Sequence, residues 1–181
     1  MNRRTFLRTA GTVTGAAALG FPAVLRAQAK EIKIGAVHPV TGPLAEIGQA
    51  CRLGAQMAVE AVNAAGGITS MGGARLVLLP GDSETKPDVA KTEAERLIHA
   101  GAVMLTGAFH SGHTMAMVPV AQQRRVPFIV DISAADVITL SVAQSVKEGK
   151  QKTQYVYRNF PTTAIFGRKA IQFMNEIFKA T

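Results

Sequence analysis

Apolar positions along this chain recur in two rhythms that take turns. Short, nearly continuous runs, "IKIGAV" (32–37), "ARLVLLP" (74–80), "AVMLTG" (102–107), "PFIVDI" (127–132) and "YVYRNF" (155–160), read as buried strands. Between them lie stretches of three- and four-residue period. In the first, over 44–65, Ile47, Leu53, Met57, Ala61 and Ala64 share one side of a predicted helix, which Gly66 and Gly67 end. A second helix follows "GDSETKPDVA", with Pro87 in its first turn, Asp88 at the positive end of the dipole, and Val89, Ala94, Leu97 and Ile98 as its apolar side. A third, "TMAMVPVAQQRR" (114–125), contains Pro119, which predicts a kink there or a position close to the first turn. A short helix near "ADVIT" (135–139), a polar loop over 141–153 and a last helix over 162–179 complete the prediction.

Strand and helix therefore alternate five times. That order, with strands apolar on both sides, predicts an α/β fold: a doubly wound parallel sheet with helices on both faces. In such sheets ligands bind beyond the carboxyl ends of the strands, which places the loops 39–43, 108–114 and 133–136 together.

Net charge changes this picture little. The chain carries +8, but Arg3, Arg4, Arg8 and Arg26 fall within residues 1–29, where there is no acid. Residues 30–181 keep 16 basic against 12 acidic side chains, and no basic stripe marks a nucleic-acid partner. Residues 1–29 have a basic start, a weakly apolar middle and "AQA" before Lys30, the layout of a cleaved export signal. "NRRTFLR" (2–8) resembles the twin-arginine motif, so export to the periplasm is expected. A single cysteine, Cys51, excludes an intrachain disulfide, and its apolar helical setting predicts a buried thiol.

The densest chemistry lies in "GAFHSGHTMA" (107–116). A strand ends and a helix begins there, so several backbone N–H groups lack intrahelical partners, and Ser111 sets a hydroxyl beside them. Such a place suits a carboxylate. Ser and Gly are also the ordinary residues of caps and turns, so capping alone accounts for them equally well. "SAAD" (133–136) repeats the arrangement, and two such turns at one crevice favour binding. His110 and His113 are three apart, but a metal site needs a third protein ligand, and none is expected. His38 and His110 each follow a strand and are candidates to touch a ligand. Nucleophile, phosphate-loop and dinucleotide motifs are absent, so no catalysis and no cofactor are expected.

Taken in order, "IKIGAVHPVTGPLAEIG", "GAQMAVEAVNAAGGI", "RLVLLPGDSETKPDVAKTEAERLI", "VPFIVDISAAD" and "YVYRNFP" resemble the periplasmic branched-chain amino acid binding protein family, the solute receptors of ABC importers. The likeness runs over 32–179. It implies a type I periplasmic binding protein: two α/β lobes that close on a ligand, without catalysis, as a monomer that delivers an amino acid or other small carboxylate to a membrane permease. Position by position, it implies that Ser111 holds the ligand carboxylate, that Ser133, Ala134 and Ala135 supply backbone groups to it and to an amino group, and that Ile47 borders the ligand side chain. Ala134 stands where amino-acid binders often have threonine. On this reading residues 30–181 are the N-terminal ligand-binding lobe, ending inside its last helix, with the second lobe absent. The alternative is an extracytoplasmic ligand-sensing domain of a signalling receptor or regulator with the same fold.

Overall fold

Strands and helices alternate through the computed structural model, which describes residues 30–179. The strands are β1 (Glu31–His38), β2 (Arg75–Asp82), β3 (Met104–Gly107), β4 (Phe128–Val130) and β5 (Val156–Arg158). The helices are α1 (Ala45–Ala64), α2 (Pro87–His99), α3 (Ser111–Arg124), α4 (Val137–Lys147) and α5 (Thr163–Phe178). All strands run parallel in the order β2-β1-β3-β4-β5. α1, after β1, packs on one face of the sheet, and α2, α3 and α4 pack on the other. The switch lies between β1 and β3, where open α/β sheets form a crevice at their carboxyl ends.

Packing is unequal on the two faces. On one, α2, α3 and α4 bury Ala94, Leu97, Met117, Val120, Ile138 and Val142 against Val37, Leu105, Phe128, Val130 and Val156. Each large apolar side chain placed there contributes about 1.5–3 kcal/mol. On the other face α1 lies over β1 and β2, while Met104, Thr106 and Ile129 stay partly exposed.

Within "IKIGAVHPVTGPLAEIG" and "GAQMAVEAVNAAGGI", Gly48 and Asn63 have architectural roles. Gly48 lies so close to the Pro39 carbonyl that a Cβ would fall 2.0 Å from its oxygen, which seats α1 on the turn after β1. Asn63 Nδ2 donates to Leu76 O (2.8 Å) while its Oδ1 accepts from Leu76 N (2.8 Å), so an α1 side chain serves as ladder partner to the edge strand β2.

Two predictions are corrected, and a third is narrowed to one of its alternatives. The segment predicted as a loop from 141 is helical through Lys147, since Ile138 and Val142 are buried while the polar residues face water. Pro119 lies in mid-helix within α3, exposed, which excludes the position close to the first turn and leaves the kink as the expectation. No side chain of α5 is buried: Phe166, Ile171, Phe173 and Ile177 are 47–63% exposed, so this helix does not cover the sheet. Its first turn is tied to the loop after β4, with Thr163 N donating to Ala134 O (2.9 Å) and Ala164 N to Asp136 Oδ2 (3.2 Å). Among the described residues no helix is long and apolar enough to cross a membrane. The proposed export signal, residues 1–29, lies outside the described residues.

Candidate functional site

The turns after β3 and β4 meet. Close approach at the end of β3 is set by Gly107, where a Cβ would fall 2.1 Å from Val37 O. Ser133, buried, donates from Oγ to Phe109 O (3.0 Å) and shares a hydrogen bond with Thr114 Oγ1 (2.5 Å). Ser111 Oγ accepts from Ala135 N at 3.4 Å. Ser111, Ser133, Ala134 and Ala135 are thus brought together, as the sequence predicts.

Two features of these turns were not part of that prediction. The Ser133 hydroxyl is used inside the protein and fastens one turn to the other. The first turn of α3 has also lost most of its free donors. His110 Nδ1 accepts from Gly112 N (3.2 Å), and His110 O accepts from His113 N and Thr114 N (3.1 Å each). An imidazole caps this helix where Ser or Asp usually would. Among the described residues, the amides of Ser111 and Ala134 have no acceptor. With the Ser111 hydroxyl, which accepts from Ala135 and can still donate, they form a compact donor set suited to a carboxylate.

His110 itself is exposed, and its Nε2 has no partner among the described residues. His113 is buried against Ser83, with Nδ1 3.3 Å from Ser83 Oγ. Burial, and then the neighbouring His110, push its imidazole below the ordinary histidine range, although a bond with the Thr85 backbone opposes them. The two histidines therefore serve different partners. Among the described residues no three His, Cys, Asp or Glu side chains could hold a metal ion.

His38 does not reach the surface. It is fully buried, and its Nε2 lies 2.8 Å from Asp131 Oδ2. Ile47 is 44% exposed in the first turn of α1. It borders a groove of about 720 Å³ between α1 and the uncovered part of the sheet, lined by Ile34, Cys51, Leu78, Ile129 and Asp131 among others. Cys51 is half-buried there rather than fully buried; its thiol is pushed up by burial and by the nearby Asp131. Asp131 and Ile132 on the groove's wall immediately precede Ser133 in the chain, whereas Ser111, Ser133, Ala134 and Ala135 are not part of its lining.

Two side chains that local sequence reasoning missed complete the site. Arg158, on β5, donates from Nη1 to Ser133 O (3.2 Å), from Nη2 to Ala135 O (2.7 Å) and from Nε to Thr139 Oγ1 (3.0 Å). It braces the second turn and puts a positive charge behind it, with burial working against that charge and Asp136 supporting it. Asp82 clasps the turn after β1, accepting from Val40 N, Thr41 N, Thr41 Oγ1 and Glu84 N. Burial raises its pKa, but these bonds outweigh burial and hold the carboxyl below its usual range. A charge beside carbonyls on a distant strand, and an acid that binds a loop forty residues away, leave no local pattern.

Comparison with known proteins identifies the family. Residues 31–180 match the family described as periplasmic binding protein. The chain is 31% identical over 147 residues to the Leu/Ile/Val-binding protein homolog 7 of Brucella abortus, covering 81% of this chain and 33% of that protein. It spans about a third of the length of the curated relatives it matches. Among solved structures, the branched-chain amino acid transporter substrate-binding protein of Streptococcus pneumoniae, in complex with isoleucine, superposes with a TM-score of 0.68 at 28% identity, covering 83% of this chain and 40% of that one. A solute-binding protein of an ABC transporter from R. palustris, in complex with 4-hydroxybenzoate, gives a TM-score of 0.57 at 26% identity, covering 73% and 32%.

Proposed function

This chain belongs to the periplasmic binding protein family, and from that premise we propose that it is the ligand-binding first lobe of an ABC-importer solute receptor for an amino acid or another small carboxylate. The carrying observation is the joined pair of turns, with the Ser111 hydroxyl and the Ser111 and Ala134 amides unspent and Arg158 behind them. The ligand carboxylate accepts from these donors, and its hydrocarbon part extends toward Ile47 and the groove. A second lobe closes over it, removing water and strengthening each charged hydrogen bond. The receptor then presents the closed form to a membrane permease, and no bond of the ligand is broken. Ligands of two sizes fit this scheme, since the similar proteins above hold isoleucine and 4-hydroxybenzoate.

Calorimetric titration of the full-length protein with amino acids, aliphatic acids and hydroxybenzoates tests the reading. Saturable binding of at least one carboxylate, lost on its conversion to the amide, is expected. A protein that binds none of them, or binds acid and amide alike, refutes it. Periplasmic delivery by the twin-arginine route belongs to the same proposal. Replacing Arg3 and Arg4 together by Lys should retain the protein in the cytoplasm, and unchanged export would remove the route.

A further inference from the structure

In a sheet whose strands all run parallel, every segment that enters a strand lies at one end, opposite the carboxyl ends that carry the donor set. Lys30 and Lys33 stand at the start of β1 and Arg75 opens β2, where Arg75 N donates to Lys30 O (3.0 Å). Arg124 and Arg125 precede β4, while Lys147, Lys150 and Lys152 precede β5. Gln122 fastens these last two segments together, donating to Thr153 O (3.2 Å) and accepting from Tyr155 N (2.6 Å). Arg125 and Lys152 thereby line one polar hollow of about 470 Å³.

The segments 30–33, 72–75, 100–103, 124–127 and 147–155 hold eight basic side chains against two acidic ones, Glu31 and Glu148. The other described residues hold eight basic against ten acidic. Even with Glu60 and Glu95, near the ends of α1 and α2, counted in, this end stays positive. Its cations come from four separate segments, so no single run of sequence shows them. All but Lys33 are exposed, and of the eight only Lys150 has an ion-pair partner among the described residues, Glu148 at 2.7 Å. Five strands at about 4.8 Å spacing span roughly 20 Å, no more than two to three Debye lengths of about 8 Å at physiological salt, so neighbouring cations share one field.

A protein partner is held by an apolar or aromatic centre. Here the exposed apolar residues Met71, Val103 and Tyr157 belong to the segments of β2, β3 and β5, no two of which are neighbours in the sheet. A layer of anionic headgroups needs no such centre, because it attracts each cation near it. We propose that this basic end rests on an anionic phospholipid bilayer, with a headgroup phosphate in the hollow between Arg125 and Lys152. The contact goes beyond the ligand reading and does not depend on it. It turns the donor set at Ser111 and Ala134 away from the lipid.

The test is sedimentation of the full-length protein with vesicles of phosphatidylcholine, alone or with about 30% phosphatidylglycerol, at about 0.05 and 0.5 M salt. Binding to the anionic vesicles at low salt is expected to exceed that to neutral ones at least tenfold and to be lost at high salt. Arg3, Arg4, Arg8 and Arg26 also carry charge, so the decisive comparison is between two variants of equal net charge. Replacing Arg124, Arg125, Lys147 and Lys152 by Gln should lower binding at least tenfold. Replacing Lys86, Lys91, Arg168 and Lys169 by Gln should leave at least half of it. The pair Arg124→Gln and Arg125→Gln alone should give part of the loss, which keeps the comparison if the quadruple variant misfolds. Equal sedimentation with both kinds of vesicle, or equal losses in the two quadruple variants, overturns the proposal. Displacement by inorganic phosphate beyond that by chloride at equal ionic strength would mark a free-anion site, and tighter retention by polyglutamate than by the vesicles a protein-binding one; either overturns it as well.

Discussion

Ser111 and Ser133 lie in the same pair of turns, yet the proposed function gives them opposite duties, and two single substitutions separate these. Ser111 Oγ makes one long bond, 3.4 Å from Ala135 N. At that length it stabilises the fold near the bottom of the usual range, so Ser111→Ala should cost about 0.5 kcal/mol of stability. The same change removes the hydroxyl that, in the proposed function, donates to a ligand carboxylate. A hydrogen bond of that kind contributes about 1–3 kcal/mol, or roughly 5- to 150-fold in affinity. Ser133 Oγ instead makes two close bonds and is 1% exposed. Ser133→Ala leaves Phe109 O short of a donor and loosens Thr114, costing about 1–3 kcal/mol of stability. For a domain of this size that lowers Tm by several degrees, at about 2–4 °C per kcal/mol. Calorimetric titration and thermal unfolding of both variants in the full-length protein provide the comparison. If Ser111→Ala binds as tightly as wild type, the hydroxyl is merely part of a turn. If Ser133→Ala leaves Tm unchanged, the clamp between the turns is not a source of stability.

Three further outcomes follow from other contacts. Asn63→Leu removes both bonds to Leu76 at a partly buried sheet edge and should lower stability by about 1–3 kcal/mol, read from the urea midpoint; an unchanged midpoint would mean water replaces the side chain fully. The folded state holds His113 below the ordinary range, so its unfolded form takes up a proton first as pH falls. Stability from this residue is therefore complete above about pH 6.5 and declines below it, and His113→Gln should flatten the stability profile between about pH 7 and 5, whereas an unchanged slope would assign the loss to other groups. Residues 30–181 expressed alone should self-associate with rising concentration through the apolar side of α5, and Phe173→Glu with Ile177→Glu should shift light scattering toward monomer, an effect that would be missing if that surface were inert.

The order of strands and helices was legible because each element announces itself locally, by a continuous apolar run or a three-and-four step. Ser111, Ser133, Ala134 and Ala135 were legible as a group for the same reason: each pair sits where a strand gives way to a helix. Their individual duties were not, because those depend on what the neighbouring turn offers. His110 is outside the residue types that normally cap, so nothing in the sequence marks the Gly112 amide as already used. The His38–Asp131 pair spans 93 residues and an intervening strand, and each partner, taken alone, is an ordinary strand-end residue. The loop predicted from 141 failed for a different reason, since two buried positions were enough to fix α4 and the polar ones were free to face water.

The seat of Gly48 on Pro39 bears on how such a receptor diversifies. Any side chain at 48 would push the helix off its turn, while the preceding position, Ile47, is open. In the proposed receptor, anchoring and choice of cargo thus fall to adjacent residues. Substitution at Ile47 can reshape the rim of the groove while the main chain that carries it stays put, so new preferences can arise without rebuilding the lobe.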